Sequence, residues 1–256
     1  MTINNKEEKI HEDNRSAISF YILFALQFIL VAGGMFVNIK TGVSTSLLVL
    51  LMTPFILSRC SSLNFDLSRT RNGMMGLFVF IGIFYILEIG NPNNVQEAWN
   101  ISITHYAIYP IAIAMLVPVA IRDRKGIEWL LFIWSAFILI AFMKGYWQKN
   151  HGFNHQELYF LYTLGGYRTH IIWSGIRYFS FFSDAANYGV HSAMGLTVFA
   201  ISALLVRPKW MKIYFAIVAI AAAYSVGISG TRSAMAIPLV GLTMFALISK
   251  NMKSIT

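Results

Sequence analysis

The sequence predicts an all-α polytopic membrane protein with about eight transmembrane helices. Of its 256 residues, 57% are hydrophobic and 12% are charged, whereas a soluble domain has about 25% charged residues. The apolar residues come in long blocks, and a helix needs about 20 of them to cross a bilayer. Backbone groups in hydrocarbon must find hydrogen bonds within their own segment, so helices are the expected spanning element. The sequence shows none of the short alternating segments that are typical of a membrane β-barrel.

Eight apolar blocks, separated by polar or basic connections, are the expected spans. They cover residues 17–38, 43–58, 73–90, 99–121, 127–147, 185–206, 211–229 and 232–250. Residues 1–16 mix acidic and basic side chains before the first block. A cleaved signal peptide would begin with purely basic residues, so we expect a cytoplasmic tail followed by a retained anchor. Residues 17–256 are then expected to form a single membrane domain.

Basic residues alternate between successive connections, and this alternation sets the expected orientation. The connections at 58–72, 122–126 and 207–212 are basic, as is the C-terminal tail, whereas the intervening connections carry few basic residues. We therefore expect both termini in the cytoplasm and the long connection at about 148–184 on the outer face. The formal net charge of +9 is spread along the membrane surface, which favours membrane lipid as a partner and argues against nucleic acid.

Cysteine and histidine usage gives no indication of a metal or another cofactor. Cys60 is the single cysteine, which excludes an intramolecular disulfide and a cysteine-based zinc site. His151 and His155 are four residues apart, but no carboxylate or cysteine completes a metal site, so we interpret them as loop histidines. Glu88 and His105 have two open interpretations, as members of a polar cavity or as satisfied helix-packing residues.

Polar residues gather where the 148–184 connection meets the sixth span. Asp184, Asn187 and His191 are spaced three and four residues apart, so in a helix that begins near Ser183 they lie on one stripe. Asp184 is either a helix N-cap or a site residue. Asn187 and His191 lie deeper, where a polar side chain marks either a substrate site or a hydrogen bond between helices. Arg168 is expected on the same outer face.

Two arginines lie at expected outer helix ends, against the charge bias. Arg177 either reaches lipid phosphates or binds a ligand. Arg232 belongs to a tight turn with Ser229, Gly230 and Thr231, in which glycine allows conformations closed to other residues. One hydroxyl among Ser229, Thr231 and Ser233 is expected to cap the next helix, and a helix N-terminus beside a guanidinium forms an anion site. The alternative for Arg232 is pairing with a helix end or a lipid.

The segments "RYFSFFSDAANYG" (177–189) and "SGTRSAMAIPLVGL" (229–242) together resemble the O-antigen ligase and O-antigen polymerase superfamily. These proteins are bacterial inner-membrane glycosyltransferases that act on glycans carried by undecaprenyl diphosphate. The family pattern is an arginine, a short aromatic or glycine stretch, an acidic residue and an asparagine that opens a helix. A second arginine turn, rich in serine and glycine, opens the next helix but one.

The match to this pattern covers both parts, within about residues 175–250. The first part is matched by Arg177, Asp184 and Asn187, and the second by Arg232, Ser229 and Gly230. Ala186 stands where many members have proline before the asparagine. Family members continue beyond the second arginine turn into a large outer loop and further helices. The resemblance therefore implies that this chain corresponds to the N-terminal part of such an enzyme, truncated at its C-terminus.

The resemblance implies a metal-independent transfer on the periplasmic face of the inner membrane. Arg177 and Arg232 would act as the catalytic residues by binding the diphosphate of the undecaprenyl-linked glycan donor and neutralising its charge as it leaves. A hydroxyl of a glycan or lipid A-core acceptor would attack the anomeric carbon. The expected substrate-binding residues are Arg168, Asp184, Asn187, His191, Ser229, Gly230 and Thr231.

Two other functions remain open at the level of sequence. A transporter or flippase for an anionic lipid-linked substrate also places arginines near a cavity, although it usually builds its site from broken helices at the midplane. A non-catalytic truncated remnant would keep the helices and lose the chemistry.

Overall fold

The computed structural model shows a mostly helical protein. It describes residues 18, 21–22, 24–30, 32, 71, 73–93, 95–121, 124–173 and 175–253. The chain divides into two compact units, one drawn from Met1–Gln27 and Gly42–Leu130 and the other from Phe28–Thr41 and Leu131–Thr256. The candidate site lies entirely within the second unit.

The first unit is built from apolar helices. Its elements are α1 (Gly73–Leu87), a 3-10 turn (Glu88–Gly90), α2 (Gln96–Ile103), a π-helical turn (Thr104–Ile108) and α3 (Tyr109–Ala120). The indole N–H of Trp99 donates to the carbonyl oxygen of Tyr85 at 3.1 Å, which ties α2 to α1. Helix α4 (Arg124–His151) begins in this unit and continues into the second.

The second unit contains the rest of α4 and the following elements. They are α5 (His155–Tyr162), α6 (Tyr167–His170), strands β1 (Ile171–Ile172) and β2 (Gly175–Ile176), α7 (Ala185–Leu205), α8 (Lys209–Ser229), a 3-10 turn (Arg232–Met235) and α9 (Ala236–Lys253). Residues 206–208 join α7 to α8, so these two helices are antiparallel neighbours. The end of α8 therefore lies beside the beginning of α7.

The core of this unit lies where α7, α8 and the middle of α4 meet. Phe199, Phe215 and Val218 are fully buried, and Ile138 of α4 packs with them. At Gly195 of α7 a Cβ would lie 2.7 Å from Cδ1 of Ile138, so glycine allows the two helices to approach. These contacts hold the helix ends that carry the site.

Local signals in the sequence explain where the helices begin and end. Asp184 caps α7, since its carboxylate accepts a hydrogen bond from the backbone N–H of Asn187 at 2.7 Å. Asn154 and Glu157 form a capping box at the start of α5. Helix α8 ends at Gly230, which has a φ of +63°, the left-handed conformation that glycine adopts at helix C-termini.

Five described helices are long and apolar enough to cross a membrane, which indicates a membrane protein. They are Gly73–Gly90, Arg124–His151, Ala185–Leu205, Lys209–Ser229 and Arg232–Ser249. They confirm the expected spans 73–90, 127–147, 185–206, 211–229 and 232–250 to within a few residues. The large side chains Phe80 and Leu239 are each 70% exposed, as expected of helices that face lipid.

The remaining three expected spans are not confirmed. Residues 99–121 are almost wholly helical, but a π-helical turn interrupts them and their apolar part, Tyr106–Met115, is shorter than a membrane span. The expected span 43–58 lies outside the described residues, and of 17–38 only a few helical residues between 18 and 32 are described. The count of eight and the orientation of the termini stay predictions.

Candidate functional site

A short β-hairpin carries Arg177 to the end of helix α8. The two strands pair antiparallel, with Ile171 opposite Ile176. Gly175 has a φ of +126°, which only glycine adopts without strain and which allows the chain to reverse. The backbone N–H of Arg177 then donates to the carbonyl oxygen of His170 at 2.8 Å. This hydrogen bond continues the strand pairing by one residue, so the backbone of Arg177 is held by the hairpin.

The guanidinium group of Arg177 is fixed by oxygens of the turn after α8. Its Nε donates to the carbonyl oxygen of Ser229 at 3.2 Å, and its Nη2 donates to Oγ1 of Thr231 at 2.8 Å. A longer contact of 3.4 Å joins Nη1 to the carbonyl oxygen of Thr169. A guanidinium has five N–H donors, so these three bonds orient the group and leave two donors for a ligand.

Gly230 allows this close contact between Arg177 and the turn. Its φ of +63° is strained for any residue with a Cβ. A Cβ at this position would also lie 3.2 Å from Cγ of Arg177. The glycine of the sequence "SGTR" therefore serves two purposes, since it ends α8 and makes room for the arginine side chain.

The same turn packs against the first turns of α7. The hydroxyl of Thr231 donates to the carbonyl oxygen of Ala185 at 3.0 Å. At Gly189 a Cβ would lie 2.5 Å from Oγ of Ser229 and 2.8 Å from Cβ of Thr231. The turn therefore packs tightly against both the start of α7 and Arg177. Gly189 allows this packing, and the sequence pattern did not predict a role for it.

The turn was expected to supply a hydroxyl that caps the following helix. Thr231 does stand immediately before the 3-10 turn Arg232–Met235, but its side chain makes no capping hydrogen bond. Its hydroxyl instead accepts from Arg177 and donates to Ala185. Thr231 therefore orients Arg177 instead of capping the 3-10 turn.

A groove of about 440 Å³ opens beside Arg177, a volume in the range of small-molecule sites. Its charged and aromatic lining is Lys149, Arg177, Tyr178 and Tyr224, and the rest of the lining is glycine and isoleucine. Two cations line the groove, and none of its described lining residues is a carboxylate. The described carboxylates nearest in sequence are engaged elsewhere, since Asp184 caps α7 and Glu157 pairs with Lys144. The groove therefore favours an anionic ligand.

Sequence reasoning missed Lys149 and Tyr224. Lys149 lies in the last turn of α4, and its Nζ stands over the ring of Tyr224, 5.1 Å from the centroid. Tyr224 sits five residues before Ser229 in α8, which is about 7.5 Å along the helix axis. Neither residue belongs to a recognisable motif, and only the packing of α4 against α8 brings them together.

The expected polar stripe on α7 divides into two different environments. Asp184 and Asn187 bond to each other as a helix cap, through both the backbone and the side-chain nitrogen of Asn187. His191 lies among aromatic rings, and its Nε2 accepts a hydrogen bond from the indole N–H of Trp134 at 3.1 Å. The capping interpretation of Asp184 and the helix-packing interpretation of His191 both match this geometry. None of the three residues lines the groove.

Arg232 and Arg168 lie at the same end of the unit as Arg177. Arg232 directly follows Thr231 and has an exposed side chain. Arg168 is exposed on the short helix α6. Within the described part of the chain neither forms an ion pair, and neither lines the groove. Arg177 is hydrogen-bonded to the 229–231 turn, and Arg232 directly follows this turn in the chain. The second cation that lines the groove is Lys149 and not Arg232.

A buried polar network supports the segment that precedes α7. Glu157 is 2% exposed, and its Oε1 lies 2.6 Å from Nζ of Lys144 and accepts from Gln148 at 3.0 Å. Gln148 also bonds the backbone of Ser180 in both directions, at 2.9 and 3.1 Å. Ser180 has a φ of +54°, and its hydroxyl donates to the carbonyl oxygen of Ala141 at 2.7 Å.

One signal in the sequence could have indicated this network. Lys144 and Gln148 are four residues apart at the end of an apolar block, so they share a helix face. A lysine and a glutamine on one face at that depth require buried polar partners. The partners themselves, Glu157 and Ser180, lie in a connection whose folding the sequence pattern does not specify.

His170 is fully buried beneath the hairpin. Its ring packs edge-on against Phe179, with centroids 4.6 Å apart, and its Nδ1 lies 2.8 Å from the carbonyl oxygen of Gly166. Its Nε2 has no hydrogen-bond partner among the described residues. Burial lowers the pKa of His170 from its ordinary value; the Gly166 carbonyl and Asp184 oppose this shift, and Arg177 adds to it.

Comparisons with known proteins add no family to this description. No family model matches the chain, and neither curated proteins nor solved structures give a significant match. Within the described ranges, no three histidine, cysteine, aspartate or glutamate side chains come together in a way that could hold a metal ion. The groove and the oriented guanidinium of Arg177 are therefore the features that bear on the function of this chain.

Proposed function

We propose that this chain is a membrane glycosyltransferase of the O-antigen ligase and polymerase type, which uses a glycan carried by undecaprenyl diphosphate. The observation that carries the proposal is the position of Arg177. Its guanidinium is oriented by Ser229 and Thr231, has no carboxylate partner among the described residues and lines a groove. An oriented guanidinium with free donors suits the paired oxygens of a phosphate group.

The chemistry proposed for this site is electrostatic. In glycan transfer an acceptor hydroxyl attacks the anomeric carbon and releases its proton to solvent, the bond between that carbon and the phosphate oxygen breaks, and the diphosphate leaves with additional negative charge. Arg177 would stabilise that charge in the transition state more than in the ground state, which is the condition for lowering the barrier. Arg232, exposed on the same turn, would supply a second guanidinium from outside the groove. We assign no general base among the described residues.

The proposed location is the outer face of a bacterial inner membrane. Arg207, Lys209 and Lys212 lie where α7 ends and α8 begins, at the opposite end of these helices from Ser229. Basic residues favour the cytoplasmic side. In this proposal the groove faces the periplasm, where lipid-linked glycans serve as donors for the O-antigen ligase and polymerase type of enzyme.

The proposal is tested with the 256-residue chain purified into lipid nanodiscs. Undecaprenyl diphosphate carrying a labelled glycan is the donor, and both binding and new glycosidic bonds are measured. We expect R177K to weaken donor binding by about tenfold or more, because lysine cannot reproduce the oriented fork. R207K is the matched control, since Arg207 is an exposed arginine at the opposite end of the same helices.

Three outcomes would contradict parts of the proposal. Unchanged donor binding in R177K would remove Arg177 from the site. Donor binding without any glycosidic bond would make this chain a binding protein without transferase activity. Movement of the intact donor between leaflets, again without bond formation, would identify a flippase.

A further inference from the structure

The groove contains a second cation that the proposed function does not use. Lys149 lines the groove from the last turn of α4, whereas Arg177 lines it from the segment that follows β2. Its Nζ is held over Tyr224, 5.1 Å from the ring centroid. In the described part of the protein it forms no ion pair. A contact with an aromatic face positions an ammonium group without neutralising it.

The floor of the groove between these cations is open. Gly227 lines the groove in α8, one turn after Tyr224, and a Cβ added there would meet no atom of the described residues within 4 Å. Glycine is a poor helix former, and no close contact with the described part of the chain requires it at position 227. The absence of a side chain at this position leaves room for a ligand group that extends from Arg177 toward Lys149.

The two cations differ in a way that suits two neighbouring phosphate groups. Arginine presents a planar fork with fixed directions, and here that fork is oriented by the turn. Lysine is a compact charge on a flexible stem, so it adapts to the position of a second anion. A monophosphate needs only one of these groups, whereas a diphosphate gives both a partner. The lining that the structure describes contains no carboxylate that would oppose the second charge.

We propose that Lys149 and Arg177 form a two-cation site for a diphosphate ester, in which Lys149 distinguishes a diphosphate from a monophosphate. This inference rests on the proposed function for the identity of the lipid that carries the diphosphate. It adds a specificity-determining residue at the end of α4 and gives Gly227 the role of keeping the groove open. Free pyrophosphate has the same head-group chemistry, so the experiment has to separate the two sources.

The first arm measures charge recognition, with the full chain in nanodiscs. Affinities are measured for undecaprenyl diphosphate and undecaprenyl phosphate in the wild type, K149Q and K149R. We expect K149Q to weaken diphosphate binding about tenfold, to change monophosphate binding less than about twofold, and K149R to retain most of the affinity. K125Q is the matched control, because Lys125 is exposed in the first turn of the same helix.

The second arm measures the space above Gly227. G227L fills the groove floor, and A223L adds a side chain of the same size one turn earlier in α8, at an exposed alanine that does not line the groove. We expect G227L to abolish binding of the diphosphate lipid while thermal stability stays at or above that of the wild type. A223L should leave binding unchanged. Equal binding in both variants would exclude the groove floor from the site.

Competition separates the sources of the diphosphate. Inorganic pyrophosphate should displace undecaprenyl diphosphate at concentrations at which inorganic phosphate has no effect, and equal competition by the two anions would contradict a two-cation site. Binding of the lipid at least about tenfold more tightly than pyrophosphate supports the lipid-linked source. Equal affinities would assign free pyrophosphate as the ligand and overturn the lipid-linked source.

The failure of this inference can be told apart from the failure of the proposed function. If R177K loses the diphosphate lipid and K149Q binds it as the wild type does, Lys149 is only a cation at a helix end and the inference is wrong. If the wild type binds neither lipid, the proposed function fails as well.

Discussion

Arg177 donates from Nη2 to Oγ1 of Thr231 at 2.8 Å, although the two residues are 54 positions apart in the chain. The same hydroxyl donates its own hydrogen to the carbonyl oxygen of Ala185 at 3.0 Å. One threonine side chain thus joins the hairpin arginine, the turn after α8 and the first residue of α7. The orientation of the guanidinium depends on this hydroxyl.

Replacement of Thr231 by valine should therefore misplace Arg177 without a change in side-chain shape. T231V removes the acceptor of the Arg177 Nη2–H and the second donor to the Ala185 carbonyl, which keeps its helical hydrogen bond within α7. The lost hydrogen bond from the charged guanidinium costs about 1.5–3 kcal/mol. We expect the affinity for undecaprenyl diphosphate to fall about tenfold. A tenfold change corresponds to about 1.4 kcal/mol, which is close to the contribution of one hydrogen bond to a charged group. Titration of the labelled lipid into nanodiscs measures the loss.

The matched control for this change is T231S, which keeps the hydroxyl and removes the methyl group. It should retain nearly wild-type affinity. Equal losses in T231S and T231V would mean that the methyl packing, and not the hydrogen bond to Arg177, matters at this position.

Two glycines at the end of α8 should respond oppositely to alanine. G230A places a Cβ at a φ of +63° and 3.2 Å from Cγ of Arg177, so we expect a loss of about 1–2 kcal/mol in stability. G227A adds a Cβ that meets no atom within 4 Å in the part of the chain that the structure describes and should stabilise the helix by up to about 1 kcal/mol. Reversible unfolding in mixed detergent and SDS micelles compares the two variants. Similar stabilities would show that the turn relaxes around the added methyl group.

The ends of the second unit's helices were predictable from the sequence because strong local signals mark them. Asp184 and Gly230 stand at the two boundaries, and each acts within its own turn, as a cap and as a left-handed helix end. Local signals of this kind do not depend on the rest of the fold. The division of residues 99–121 at a π-helical turn was missed, since no proline or glycine stands among Thr104–Ile108.

The site itself was only partly predictable. Arg177 and the 229–231 turn were expected on one face, and the structure places them in contact. Lys149 and Tyr224 were missed because the sequence pattern does not set them apart. A lysine at the end of an apolar block is typical of the membrane interface, and a tyrosine within an apolar block is typical of a packed helix. Their pairing is a tertiary contact between two spans, which no local pattern specifies.

The buried ion pair between Lys144 and Glu157 should be important for stability. Glu157 is 2% exposed and Lys144 is 18% exposed at its side chain, so E157Q would leave a largely buried ammonium without its partner. Removal of one member of such a pair costs about 3–5 kcal/mol. The unfolding free energy in detergent micelles measures the effect, and the second change K144M should recover part of the loss.

Glu128 provides the matched control for E157Q. Its Oε1 lies 3.1 Å from Nε of Arg124, one helical turn away. The side chain of Glu128 is 30% exposed and that of Arg124 is 59% exposed. Exposed pairs with this spacing contribute about 0.3–0.5 kcal/mol, so E128Q should change the stability very little. Comparable losses in E128Q and E157Q would contradict the assignment of the buried network as the support of the segment before α7.

His170 should make the stability of the hairpin depend on pH. Burial holds its folded-state pKa below the ordinary value of 6.5, so the folded protein favours the neutral ring. The stabilisation is fully present above pH 6.5 and is lost as the pH falls below 6.5 toward the folded-state pKa, because the unfolded chain takes up the proton first. Protonation would also place a second N–H, on Nε2, where the structure offers no acceptor among the described residues.

H170F removes the titrating group. Its stability at pH 8 is expected to be lower than that of the wild type, but its stability should fall less than that of the wild type between pH 7 and pH 5. Thermal unfolding in detergent across this range measures the difference in slope, with H155N, at an exposed histidine of α5, as the control that retains the wild-type slope. If wild type and H170F lose stability in parallel, His170 does not titrate in this range and another group sets the acid sensitivity.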